Sequence, residues 1–232
     1  MSAGPNGSGK STRAGRLMGE YAVNLYHRVN ADEILAEAEA SGFFRMPVPV
    51  DADSLSRYLL STGYGGETTG AFTDGRIRLN DGVFSFSPGA LTSYTAALVA
   101  DFLVGELLSR GMSLSMETVF SHPSKAAMLR KAAALGYRNY LYYVATESPV
   151  CNEGRVATRV SLGGHAVPPE KIRKRYSRSL SLVRKAVPLV SRAYFFDNTL
   201  EMRLIASYSD GDGWTLCTRD IPQWFARHVL CV

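Results

Sequence analysis

Gly4-Pro5-Asn6-Gly7-Ser8-Gly9-Lys10-Ser11, followed by Thr12, constrains this chain more than any other stretch. It satisfies G-x-x-x-x-G-K-[ST], the Walker A pattern of a phosphate-binding loop (P-loop). Glycines let successive backbone N–H groups turn inward around a phosphate, and the helix that follows points its positive end at the same place. Lys10 is placed to reach the β- and γ-phosphates of a nucleoside triphosphate, and the Ser11 hydroxyl to ligate Mg²⁺. Such a loop normally leaves a buried central strand. Met1-Ser2-Ala3 span about 10 Å at most, too little for a normal strand, so the expectation is a true start upstream of Met1.

The 232 residues are 46% hydrophobic and 20% charged, which excludes collagenous, coiled-coil and largely disordered classes. That length supports one substantial core. No run approaches the roughly 20 apolar residues of a membrane span; the most apolar helical stretch, Tyr94 to Leu108, is interrupted by Asp101 and Glu106. A P-loop starting at Gly4 leaves no room for a signal peptide. Cys151, Cys217 and Cys231 are odd in number and follow no motif, so they read as reduced thiols of a cytoplasmic protein. None of the four histidines stands at zinc spacing from a cysteine. The net charge of +5 is local: Arg155 to Lys185 hold nine lysines or arginines against Glu170, a net of +8, which leaves −3 for the rest. Such a patch suits a polyanion, either nucleic acid or nucleotide phosphates, or is a solvated helix face.

Periodicity predicts a helix over Lys10 to Tyr26, a strand over Tyr26 to Asn30 and a helix over Asp32 to Ala40. Ser41 to Pro88 reads as irregular, apart from a hairpin of Arg76–Leu79 and Val83–Phe86 about Asn80-Asp81-Gly82. A helix over Ala96 to Ser109, a strand from Ser113 ending at Glu117-Thr118, a helix over Pro123 to Leu135 and a buried strand over Tyr140 to Ala145 follow. Helices over Val150 to Leu162 and Pro168 to Val187 flank a Gly163-Gly164 break. Ala193 to Phe196 is a strand, and Arg203 to Val232 a hairpin with a short final helix. Strands alternating with helices specify an α/β fold with a mainly parallel sheet.

Phosphoryl transfer to a hydroxyl needs a proton acceptor. Asp32 follows a strand end that opens on a ligand crevice and is the first candidate; its alternative is a helix N-cap. Glu117 also ends a strand and could hold substrate or a metal-bound water, with Thr118 and His122 beside it. Asn152-x-x-Arg155-x-x-x-Arg159 puts two arginines on one helical face. Arg173, Arg175 and Arg178 follow the Gly163-Gly164-His165 turn, so the two helices read as a closing lid that neutralises phosphoryl charge.

Ala3 to Thr12, Asn30-Ala-Asp-Glu-Ile34, Glu117-Thr-Val-Phe-Ser121, Arg155 to Tyr176 with Gly163-Gly-His-Ala-Val-Pro168, and Phe196-Asp-Asn198 together resemble the zeta-toxin-like family of P-loop kinases. The resemblance implies a three-layer, nucleoside-kinase-like P-loop fold formed by residues 1–232 as one domain. Residues of about 46–91 would be an inserted cap-like segment and those of about 150–187 an arginine-bearing lid. It implies Mg·ATP-dependent phosphorylation of a small-molecule or nucleotide-sugar hydroxyl, UDP-N-acetylglucosamine in the best-understood members. It maps the catalytic base to Asp32 and substrate binding to Glu117 and Thr118. Lys10, Arg159 and Arg175 become catalytic, Arg155 a nucleotide contact, and Arg173 a further lid candidate. An antitoxin protein becomes a candidate partner. Two other readings stand beside it: a nucleic-acid-binding ATPase using the basic stretch, where Tyr176 is the one aromatic, and an ATP-binding regulatory module without turnover.

Overall fold

A computed structural model describes residues 1–12, 24–164 and 166–231. The chain begins with β1 (Ser2–Ala3), β2 (His27–Asn30), α1 (Ala31–Ser41), β3 (Phe43–Arg45), α2 (Ala52–Ser61) and α3 (Gly66–Thr73). Then come β4 (Ile77–Asn80), β5 (Val83–Phe86), α4 (Ser93–Ser109), β6 (Leu114–Thr118), α5 (Ser124–Ala134) and β7 (Tyr140–Ala145). It closes with α6 (Pro149–Ser161), α7 (Pro169–Ala186), β8 (Arg192–Asp197), β9 (Arg203–Ser209), β10 (Gly213–Leu216) and short helical turns at Gln223–Phe225 and Ala226–Leu230. Of the helix expected over Lys10 to Tyr26, residues 10–12 are helical, and the part through residue 23 lies outside the described residues, as does His165. The chain divides into two compact units, Met1–Asn24 with Glu117–Val232, and Leu25–Met116.

In the first unit the strand order is β10-β9-β8-β7-β1, then the end of β6. β8, β7, β1 and the end of β6 run parallel, while β9 and β10 return antiparallel. Two residues suffice to seat β1 centrally: Ser2 aligns with Tyr142 on one side and Glu117 on the other, and Ala3 with Tyr143 and Thr118. The Gly4 N–H continues the ladder onto the Thr118 carbonyl at 3.2 Å. The P-loop therefore leaves the interior of a parallel sheet, at the carboxyl ends of its strands, where open α/β sheets bind ligands. α7 buries Ile172, Tyr176, Leu180 and Val183, spaced at helical period on one face. Tyr176, Leu180 and Val183 join a core containing Leu141, Tyr143, Phe195 and Phe225. The buried Tyr143 hydroxyl is satisfied by Ser179 Oγ at 2.9 Å.

In the second unit α4 is buried along most of its length, and α1 presents Ile34, Leu35 and Ala38 as its buried face. A three-stranded antiparallel sheet, β3-β5-β4, includes the expected hairpin. Asp81 and Gly82 sit at φ +49° and +73°, the left-handed pair a two-residue hairpin turn demands. Ser41 to Pro88 is otherwise more regular than expected, because it also holds β3, α2 and α3. α2 is N-capped by Asp51, whose side chain accepts from Ser54 N, yet buries only Leu55; α3 contains two glycines and buries only Ala71 and Phe72. Those local signals are weak, and aromatic packing supplies the rest: Tyr58 meets Phe102 at 5.4 Å and Phe72 meets Phe84 at 6.3 Å between ring centroids. No described helix is long and apolar enough to cross a membrane.

Candidate active site

The first unit gathers the P-loop, the end of β6, α6, α7 and the turn after β8. Gly4, Gly7 and Gly9 all have positive φ, at +143°, +74° and +99°. A side chain at Gly4 would run into the Val144 carbonyl, one at Gly7 into the Asn152 backbone and one at Gly9 into the Asn198 amide. The glycine pattern thus answers to the walls around the loop as well as to its curvature. Lys10 is buried, and its Nζ donates to the Pro5 carbonyl at 2.9 Å, so its ammonium lies back over the loop. Ser8 is fully buried and Thr12 is exposed.

Ser11 Oγ donates to Glu117 Oε1 at 2.8 Å. The hydroxyl proton is thereby committed to the carboxylate, and the oxygen lone pairs are left for a cation. Glu117 Oε2, Ser8 Oγ and Arg155 Nη1 are buried atoms with no hydrogen-bond partner. Burying such groups unpaired costs about 1–3 kcal/mol each, which is expected of a site shaped for a ligand with both anionic and cationic parts. Thr118 is buried and its Oγ1 accepts from Phe120 N at 3.1 Å, supporting the turn after β6. His122 pairs locally with Ser124 through Nδ1 at 3.0 Å.

The arginines divide by partner. Arg155 Nη2 donates to the Thr199 carbonyl at 3.2 Å. Arg175 Nη1 donates to Asn6 Oδ1 at 3.5 Å, the outer limit of such a bond. Arg173 instead forms a two-pronged pair with Glu153, at 2.6 and 2.9 Å, which ties α7 to α6. Arg159 and Arg178 are exposed. Arg184, at the far end of the same stretch, places Nη1 2.9 Å from Cys231 Sγ, so Arg155, Arg173, Arg175 and Arg184 are all engaged within the unit.

Sequence reasoning did not assign three polar groups of this site. Asn152 is fully buried; its Nδ2 donates to the Asn6 carbonyl and its Oδ1 accepts from Thr146 Oγ1. Asn198 Nδ2 donates to the Ser8 carbonyl at 2.8 Å. Thr146 carries the network on, its carbonyl accepting from Tyr176 Oη at 2.7 Å. Asn152 and Asn198 both lie in motifs visible in the chain, but their partners are 146 and 190 residues away.

Asp32 belongs to the second unit. It is exposed in the first turn of α1, and Asn30 supplies the N-cap, its Oδ1 accepting from Asp32 N at 3.0 Å. The N-cap role that Asp32 could have filled therefore falls to Asn30. Glu33 beside it pairs with Arg28.

The zeta toxin family model matches residues 87–206, just over half of the chain. The chain belongs to the zeta toxin family. No curated protein matches its sequence. Among solved structures, the PezAT chromosomal toxin–antitoxin system of Streptococcus pneumoniae aligns at 13% identity and TM-score 0.53, over 98% of this chain and 75% of that one. An AvrRxo1-ORF1:-ORF2 structure with ATP aligns at 14% identity and TM-score 0.56, over 92% of this chain. A second AvrRxo1-ORF1:AvrRxo1-ORF2 structure, with sulphate ions, aligns at 14% identity and TM-score 0.54. This zeta toxin family member spans 59% and 60% of those two chains. At such identities the likeness concerns the fold, an α/β P-loop architecture with a mainly parallel sheet.

Proposed function

We propose that this zeta toxin family member is an ATP-dependent phosphotransferase that moves the γ-phosphoryl group of Mg·ATP to a hydroxyl of a small molecule or nucleotide sugar of the UDP-N-acetylglucosamine type. The observation that carries the reading is the P-loop with Ser11 bonded to Glu117, in a unit where Glu117 Oε2, Ser8 Oγ and Arg155 Nη1 are buried without a hydrogen-bond partner. An anion fits the loop amides, Ser8 Oγ and Arg155 Nη1, and a divalent cation fits Ser11 Oγ with Glu117 Oε2 behind it. Bound Mg·ATP supplies the phosphoryl group and the charge-neutralising metal.

The chain's own residues then position and neutralise. Gly4 to Thr12 cradle phosphate. Lys10 swings from the Pro5 carbonyl to hold negative charge, and Arg155, Arg159 and Arg175 do the same from α6 and α7, which serve as a lid over residues of about 150–187. Asp32 takes the proton from the acceptor hydroxyl. Glu117 and Thr118 face the acceptor side, Glu117 also steadying Ser11. Residues of about 46–91 form a cap within a single kinase domain. The free cysteines and the need for Mg·ATP suit a cytoplasmic reaction. The PezAT and AvrRxo1-ORF1:-ORF2 assemblies support an antitoxin-like protein as a partner, and the AvrRxo1 structure with ATP supports ATP as the nucleotide.

A ³¹P NMR time course with Mg·ATP, with and without UDP-N-acetylglucosamine, tests this. A new phosphomonoester signal that requires the sugar nucleotide is the expected result. ADP and inorganic phosphate alone would remove that acceptor, and unchanged ATP would favour the regulatory module. Asp32→Asn should keep ATP binding and lose transfer; retained transfer would remove Asp32 as the base.

A further inference from the structure

We infer that Asn152 and Asn198 are positioning residues that aim the N–H groups of Gly7 and Gly9 into the phosphate cradle. The inference rests on the reading that the loop binds nucleotide phosphates. In a trans peptide the C=O and the following N–H point in opposite directions across one plane. The described chain contains no cis peptide bond. Asn152 Nδ2 holds the Asn6 carbonyl, and Asn198 Nδ2 holds the Ser8 carbonyl at 2.8 Å. Each amide therefore draws a carbonyl outward to the loop's wall and turns the N–H of Gly7 or Gly9 the opposite way. Without them the same planes could rotate and present carbonyl oxygens, which repel phosphate, where donors are needed.

The two amides are themselves held. Asn152 is fully buried, and because the Asn6 carbonyl can only accept, Nδ2 is the end that faces it, while Oδ1 meets Thr146 Oγ1, whose proton is shared with the Ser148 carbonyl at 3.1 Å. Tyr176 Oη of α7 donates in turn to the Thr146 carbonyl. Arg155 lies one helical turn beyond Asn152 on the same face of α6. Loop orientation and the placement of a phosphate-seeking guanidinium are thus set by a single helix. The basic helices grip the loop through Asn6 at two points, the carbonyl from α6 and Oδ1 from α7.

The test compares Asn152→Asp and Asn198→Asp, which keep shape but replace the N–H donor with a carboxylate oxygen. Dissociation constants for ADP and for AMP are measured by competition against a fluorescent ADP, alongside thermal melts. Losing one buried hydrogen bond and setting a carboxylate against a carbonyl should weaken ADP at least about tenfold. AMP, which lacks the β-phosphate, should weaken much less. A purely structural role would lower the melting temperature and leave the ADP-to-AMP ratio at its wild-type value. Asn198→Ser, at a part-buried position, carries the test if an Asp variant does not fold. Folded variants with ADP affinity within twofold of wild type, or equal losses for ADP and AMP, would overturn the inference. Wild-type protein that binds no ADP would overturn the nucleotide reading, and the inference with it.

Discussion

Gly7→Ala separates the two demands placed on a P-loop glycine. Gly7 has φ +74°, and a Cβ there would stand 2.6 Å from the Asn152 carbonyl oxygen and 3.2 Å from its Cα, both backbone atoms of α6. Gly42, the C-cap of α1, has nearly the same φ, +80°, but nothing within 4 Å of its Cβ position. Placing an L-residue in that region costs about 1–2 kcal/mol, so Gly42→Ala should lower the melting temperature by only a few degrees, at about 2–4 °C per kcal/mol for a chain of this size. Gly7→Ala bears the same strain plus a clash that shifts the loop or α6 by several tenths of an ångström, which overpacking data place at about 1–3 kcal/mol more. Displacement of that order at a positioned site reduces function by up to about 10²-fold. Calorimetric titration of ADP should therefore show Gly7→Ala weakened about tenfold or more while Gly42→Ala matches wild type. Equal melting-temperature losses with unchanged ADP affinity in both would refute the claim that α6 dictates a glycine at position 7.

Lys10→Ala should weaken ATP binding by about 10–100-fold, the loss of a charge-assisted hydrogen bond, read by titration and accompanied by loss of transfer. Glu117→Gln keeps the shape beside Ser11 and removes the charge, so the gain in ADP affinity from adding Mg²⁺ should shrink while metal-free ADP affinity holds. Leu180→Ala deletes a fully buried side chain of the core and should destabilise by about 2–5 kcal/mol in chemical denaturation. The exposed Arg173 holds the half-buried Glu153 carboxyl below its usual range. That pair contributes above the unfolded carboxylate pKa and is lost as the pH falls through the folded one. The small melting-temperature difference between wild type and Arg173→Gln, present at neutral pH, should vanish in acid.

What could be read along the chain was what short-range geometry dictates. Glycine spacing around Lys10-Ser11 specifies a loop of inward amides, and Asp81-Gly82 supplies a left-handed pair that closes β4 onto β5. The spacing of Ile172, Tyr176, Leu180 and Val183 turns one face of α7 inward. Such features depend on φ, ψ and on periods of two or 3.6 residues, which neighbours in sequence settle among themselves. Family motifs marked Glu117, Arg155 and Arg175 as residues of interest, but not what each would touch. Folding decided that Glu117 meets Ser11, that Arg173 is spent on Glu153 while Arg155 keeps an open nitrogen, and that Asn30 rather than Asp32 caps α1. It also made two helices of a stretch whose own propensities are weak, by bringing Phe102 and Phe84 against the rings of Tyr58 and Phe72. Hydrogen-bond partners more than 100 residues apart leave no local periodicity to read. A burial pattern of one or two side chains per helix becomes decisive only once another element arrives to cover it.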